Sequence, residues 1–178
     1  MADARRQITG ARNRASGEIF ERYISQSCNY YWDKGYACIE KTPEPMHPIR
    51  PYGNRGTGQF IAYYMKQAQP DFKGTLCDGS CIIFDAKHTD KDRIKQSAIT
   101  EAQWETFDRY EAMKARCFVI VSINLERFYR VPWAVWKQMK ELYGHKYMAE
   151  GRELDPYKVP DQNRTILFLE GVTINEDR

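Results

Sequence analysis

The stretch from residue 70 to 89, PDFKGTLCDGSCIIFDAKHT, constrains the fold more than any other part of the chain. Two β-favouring runs flank Asp78-Gly79, and the second, Cys81-Ile82-Ile83-Phe84, ends in Asp85-Ala86-Lys87. Short strand-like runs around an Asp-Gly pair predict a β-hairpin. Side chains alternate along a strand, so Asp85, Lys87 and Thr89 share one face and Ala86 points to the other. The turn decides where Asp71 goes. A two-residue loop would set Asp71 opposite Ala86. A three-residue loop, Cys77-Asp78-Gly79 with Gly79 left-handed in a G1 bulge, moves the pairing by one and sets Asp71 across from Asp85. Glycine at position 79 permits the second register, which is the one expected.

Two carboxylates on neighbouring strands repel unless a positive charge lies between them. Lys87 offsets part of that charge, and a divalent cation with oxygen ligands would complete the balance. The competing reading is a solvated surface hairpin with Asp71 at the start of a turn. The apolar run before Asp85 argues instead for charges at the rim of a core, where functional groups are found.

A chain of 178 residues suits one domain with a real core. We expect a basic flexible arm over 1–15, a single domain over 16–170 and a tail over 171–178. Aromatic residues make up 13% of the chain, which argues against disorder. No run of 18 apolar residues exists and no apolar signal segment opens the chain, so a soluble cytoplasmic protein without a membrane segment is expected. Within residues 1–17, Arg5, Arg6, Arg12 and Arg14 against Asp3 already carry the net charge of +3. Such an arm suits phosphate contact, and it also reads as a solvated tail. The five cysteines form no CxxC pair, and reduced, mostly buried thiols are expected.

Along the chain, Ser16 reads as the N-cap of an amphipathic helix reaching about Lys34, with Phe20, Tyr23, Ile24 and Tyr31 on its apolar stripe. Glu21 falls at the border of that stripe, where it can serve a site next to the core or remain an ordinary surface glutamate. A strand over Tyr36–Lys41 follows. Residues 43–68 hold four prolines and three glycines, a density that helices and central strands exclude, so this segment should project from the core. Its Arg50, Arg55 and Lys66 are interleaved with Tyr52, Phe60, Tyr63 and Tyr64, a pattern suited to distorted nucleic acid or to a long loop packed by its own tyrosines. Thr100 starts a helix to about Ala115. Gln103 closes a capping box there and, as a second and compatible role, faces the hairpin. Cys117–Ile123 should be a central strand with Arg127–Val131 beside it. Pro132 opens a helix carrying Trp133, Val135, Trp136 and Met139, read as core. Residues 144–163 are polar and irregular, Thr165–Leu169 a last strand, and the acidic end disordered.

An acid after proline, one hairpin, then D-x-K closing an apolar strand resembles the PD-(D/E)xK nuclease core. The chain further resembles the RecU family of Holliday junction resolvases over most of residues 12–131. The shared residues are Gly17-x-x-Phe20-Glu21, Asn29-Tyr30-Tyr31, Ile39-x-Lys41-x-Pro43-x-Pro45, Ala62-Tyr63-Tyr64, Lys66-Gln67-Ala68, Asp71-Phe72-x-Gly74, Phe84-Asp85-Ala86-Lys87-x-Thr89 and Gln103. Asp85 stands where a glutamate is more usual, and the projection and the segment after Thr89 depart from the family pattern. The resemblance implies an α/β, restriction-endonuclease-like fold, with a central mixed β-sheet flanked by helices and a projecting stalk. It implies a Mg²⁺-dependent homodimer (Mn²⁺ a possible substitute), bacterial or phage-encoded, that nicks four-way DNA junctions symmetrically. Asp71, Asp85 and Lys87 would be its catalytic core, the two aspartates its metal ligands, Glu21 an added acid and Gln103 a support. DNA contacts are expected from Arg12, Arg14, Lys41 and Arg50, and from Arg55, Lys66, Lys73 and Thr89. Two further readings stay open: a nuclease of the same core acting on duplex, flap or single-stranded DNA, and a non-catalytic DNA-binding module.

Overall fold

Helix α1 (Ala2–Asp33) leads into β1 (Ala37–Lys41), a ribbon of β2 (Met46–Pro51) and β3 (Phe60–Tyr64), and the hairpin β4 (Phe72–Leu76) and β5 (Cys81–Thr89). Then come β6 (Arg93–Lys95), α2 (Glu101–Ala112), β7 (Arg116–Ile123), β8 (Arg127–Pro132), α3 (Trp133–Lys137) and α4 (Met139–Tyr143). The short strands β9 (Tyr147–Ala149), β10 (Lys158–Val159), β11 (Asp161–Gln162) and β12 (Thr165–Ile166) close the chain. This computed structural model describes residues 2–172 apart from residue 44 and segments 54–57 and 65–68, and no side chain of residues 2–13 or 64.

The central sheet runs β1-β4-β5-β7-β8-β10 and is mixed, because β5 and β7 pair in parallel while the other neighbours are antiparallel. The parallel pair needs a crossover, which α2 supplies. β7 lies in the middle of the sheet and is buried from Phe118 to Ile123, as its apolar run requires. The alternation of side chains divides the core in two. On one face Phe20, Ile24, Cys28 and Tyr31 of α1, at helical spacing, pack on Phe72, Phe84, Phe118 and Ile120. Three rings stack across this face from strand to strand, Phe72 on Phe84 at 5.1 Å and Phe84 on Phe118 at 5.0 Å. On the other face Ile83, Val119, Val121 and Ile123 meet Phe107 of α2 with Trp133, Trp136 and Met139. The aromatics expected to be core are therefore core.

Gly74 shows how tightly the hairpin sits against β1. A Cβ there would lie 2.1 Å from the Cys38 carbonyl oxygen and 2.7 Å from the Ile39 Cα. Only glycine lets these backbones approach so closely.

Four expectations need correction. The helix does not begin at Ser16; it runs back to Ala2 through the segment read as a flexible arm. Alanine and arginine dominate that segment and favour helix, and no proline stops it. Residues 144–163, read as irregular, hold β9, β10 and β11. The projection forms no central strand, in keeping with its prolines: β2 and β3 pair with each other, antiparallel, with a register shift between Pro48 and Arg50. A two-stranded ribbon has only edge strands, which is where proline is tolerated. Thr165–Leu169 is not a strand beyond Ile166. Instead Phe168 packs edge-on against Tyr31 at 5.0 Å, and the Leu169 amide donates to the Tyr31 hydroxyl at 2.9 Å. All five thiols are free, as expected, but only Cys28 is fully buried, and Cys38 and Cys77 are exposed. The tail beyond residue 172 lies outside the described residues. No described helix is long and apolar enough to cross a membrane.

Candidate active site

The β4–β5 ladder pairs Phe72 with Phe84 and Thr75 with Cys81. Leu76 and Ser80 close the hairpin through a 2.9 Å hydrogen bond, and Gly79 takes φ +83° in the loop between them. This is the three-residue loop, and it carries Asp71 opposite Asp85. At that pair the main-chain ladder gives way to the side chains. The Asp71 amide donates to Asp85 Oδ1 at 3.1 Å, and the Ala86 amide donates to Asp71 Oδ2 at 3.0 Å. Each carboxylate is thereby held by the opposite strand's backbone, and the two converge.

Both acids are buried, Asp71 at 9% exposure and Asp85 at 0%. Burial, and then the charge of Asp85, push the Asp71 carboxyl up from its ordinary 3.8 to about 7. Lys87 forms an ion pair with Asp85 Oδ2. That oxygen is buried, and Lys87 is the group that meets it. Burial would lower the Lys87 pKa, but the charges of Asp85 and Asp71 outweigh it and the net shift is upward. Lys87 is therefore a fixed ammonium at neutral pH. It can orient a water or stabilise negative charge, and it cannot take a proton.

Gln103 does both things the sequence left open. Its Oε1 accepts from the Thr100 amide at 3.1 Å, completing a capping box at the start of α2. Its Nε2 donates to Asp85 Oδ1 at 2.9 Å. The helix cap thus orients the amide that fixes the carboxylate.

Glu21 stands apart from this cluster. It rises from α1, on the face of the sheet opposite Asp85, and its Oε2 pairs with Lys41 Nζ at 2.6 Å. Its charge reaches Lys87 only as a minor contribution. Lys41, expected to touch DNA, is thus engaged on Glu21. Among the other expected DNA contacts, Arg14, Arg50 and Lys73 are exposed on α1, β2 and β4, and Thr89 is half-buried at the end of β5 with its hydroxyl accepting from the Lys91 amide at 3.1 Å. Arg55 and Lys66 lie outside the described residues, as does the side chain of Arg12.

Two residues near the site were not singled out from sequence. Thr42 donates its amide to the Asp71 carbonyl at 2.8 Å, while its buried hydroxyl has no partner. His88 follows Lys87 but faces the other way, its Nδ1 3.2 Å from Ser122 Oγ and its Nε2 3.0 Å from Asp90 Oδ1. Its polarity was visible in the sequence; its partner on β7 follows only from the parallel register that pairs His88 with Ser122.

Among the described residues, no group of three or more His, Cys, Asp and Glu side chains converges as a cage for a metal. Two facing carboxylates, one forced towards its neutral form and the other with a buried oxygen met by a single ammonium, still suit a hard dication that retains several of its waters.

The chain is 29% identical over 131 residues to the Holliday junction resolvase RecU of Streptococcus sanguinis, covering 71% of this chain and 66% of that protein. With the Holliday junction resolvase RecU of Streptococcus oralis it shares 28% over 127 residues, 64% of each. The chain thus spans about two thirds of the length of these relatives. A solved structure of Archaeoglobus fulgidus Hjc, a Holliday junction resolvase from an archaeal hyperthermophile, superposes with a TM-score of 0.39 at 13% identity, over 67% of this chain and 75% of that one. That likeness is too slight to carry an argument. The family model described as Recombination protein U matches residues 15–173, nearly the whole chain with the hairpin and its acids inside the match, and the chain belongs to that family.

Proposed function

We propose that the chain is a Mg²⁺-dependent endonuclease that resolves four-way DNA junctions by paired symmetric nicks, acting as a homodimer. The observation that carries this reading is the convergence of Asp71, Asp85 and Lys87 at one rim of the sheet, with Gln103 bracing Asp85. Asp71 and Asp85 would hold the ion. When bound, it would lower the pKa of a coordinated water and neutralise charge on the phosphoryl oxygens.

The chain's own groups do the rest. With its carboxyl pushed up to about 7, Asp71 is partly protonated at neutral pH, so taking up an ion there would displace that proton. Lys87, paired with Asp85, would turn to the attacking water or the phosphate once the charge of the two acids was met by a bound ion. Gln103 keeps Asp85 in one orientation throughout. Glu21 acts at a distance: paired with Lys41, it tunes the field at Lys87 and leaves the two aspartates as ligands.

Selectivity for a junction is supported by the β2–β3 ribbon. Met46, Ile49, Tyr52, Phe60 and Tyr63 are all more than half exposed on it, which is an unusual amount of apolar surface for a solvated hairpin. Smooth duplex offers such residues little, whereas the open centre of a junction exposes base faces on which rings can stack.

The test compares cleavage of a mobile four-way junction with that of linear duplex of the same sequence, using Mg²⁺ or Mn²⁺. Junction-selective nicking that vanishes in Lys87→Ala is expected. Equal rates on both substrates would leave a nuclease of the same core without junction preference, and no cleavage under either metal would leave a DNA-binding module.

A further inference from the structure

The segment after Thr89 builds a groove that the catalytic rim does not use. The groove, of about 610 Å³, lies at the end of β5 and is lined by Thr89, Lys91, Arg93, Lys95, Ser97 and Tyr147 among others. Its far wall is the two-stranded ribbon of β6 and β9, in which Lys95 pairs directly with Tyr147 and Arg93 with Ala149. Ile94 between them is 5% exposed and anchors the ribbon in the core beneath α2. By alternation Arg93 and Lys95 then face outward together, on the same side as Tyr147.

We propose that this groove binds the sugar-phosphate backbone of the DNA arm next to the scissile phosphate, an inference that rests on the reading that the chain acts on DNA. Three observations carry it. The first is placement: Thr89 is on the same strand face as Asp85 and Lys87, and two residues of strand advance about 7 Å. A backbone lying with one phosphate at Lys87 therefore enters the groove within one or two nucleotides. The second is charge. Lys91, Arg93 and Lys95 are exposed; Asp90 is held on His88, and Asp92 meets Arg93 only in an exposed pair that a phosphate can displace. The third is preorganisation. The Arg93 guanidinium sits over the Tyr147 ring at 5.4 Å, and that ring stacks on His145 at 3.8 Å between centroids. A cation held against a stacked pair of rings loses less freedom on meeting a phosphate. Such contacts set position and affinity and carry no base sequence.

The full chain with Lys91→Gln, Arg93→Gln and Lys95→Gln together tests this, in EDTA so that nothing is cut. Binding to labelled linear duplex and to a four-way junction is measured between roughly 50 and 300 mM salt. Loss of three phosphate contacts lowers the slope of log affinity against log salt by about 2–3 and weakens binding at least about tenfold at the low-salt end. The charge-retaining Lys91→Arg with Lys95→Arg keeps the parent slope. A triple variant with parent slope and affinity would overturn the groove. So would a parent that binds neither DNA. A parent that binds with the expected slope difference to its variant, yet nicks nothing with Mg²⁺ or Mn²⁺, would uphold the groove and sink only the nuclease reading.

Discussion

Asp71→Asn should stabilise the metal-free protein while destroying the site. Asp71 is 9% exposed and faces Asp85, which pairs with the Lys87 ammonium. Its carboxyl is raised from 3.8 to about 7, first by burial and then by the Asp85 charge. A group whose pKa is higher in the folded protein favours folding in its protonated form. No penalty exists below pH 4, where Asp71 is protonated in both states. Stability is lost as pH rises from 4 to 7, and the loss is complete above 7. A shift of about three units at about 1.4 kcal/mol each sets a ceiling of about 4 kcal/mol. Asparagine matches the shape and can still accept from the Ala86 amide, a bond of 3.0 Å in the parent. It retains the cost of a buried amide, so a gain of about 2–4 kcal/mol is expected at pH 8.

The assay is urea unfolding of parent and variant in EDTA at pH 4 and pH 8. With an m-value of about 2 kcal/mol per molar, the variant's midpoint should lie about 1–2 M higher at pH 8 and match the parent at pH 4. Excess Mg²⁺ should reverse the order at pH 8, because the parent gains binding energy and the variant does not. A midpoint difference that is the same at both pH values would refute the argument, since it would trace to packing and not to charge.

Four further substitutions probe the scaffold. Gly74→Ala drives a methyl into the Cys38 carbonyl, 2.1 Å away, and should cost at least about 2–3 kcal/mol in urea unfolding; a neutral result would mean that β1 and β4 can part freely. Gln103→Ala loses both the helix cap and the donor to Asp85, so about 2–3 kcal/mol is expected, against about 1 kcal/mol for Thr100→Ala, which breaks the cap alone. Equal losses would show that the Asp85 contact adds nothing. Thr42→Val removes a buried hydroxyl that has no partner and keeps the amide bond to Asp71, so it should raise stability by about 1 kcal/mol, readable as a higher thermal midpoint.

What the sequence made legible follows a physical boundary. The register of Asp71 against Asp85 depends on one turn, and Gly79 with its left-handed φ carries that information within ten residues of either acid. Gln103 is legible for the same reason, because its capping box is written in four consecutive residues, Thr100 to Gln103. Position along an element is likewise local, which is why Glu21 could be set at the border of α1's apolar stripe. What Glu21 meets there is not local. Its pairing with Lys41 needs the helix to cross β1 at one height, and the linear spacing of 20 residues says nothing of that. The same holds for His88 and Ser122, 34 residues apart and joined only by the parallel register of β5 and β7. Thr165–Leu169 failed for a complementary reason. Its apolar composition records burial faithfully, but the partner is the Tyr31 side chain and not another strand, and apolar runs do not distinguish the two. The acids stood out because they break the local rule: a buried apolar strand has no reason to end in two charges unless their cost is met by function. The groove beyond Thr89 breaks no such rule, since exposed lysines are ordinary anywhere. It becomes a candidate only when β6 and β9 pair and three cations come to line one groove with a ring.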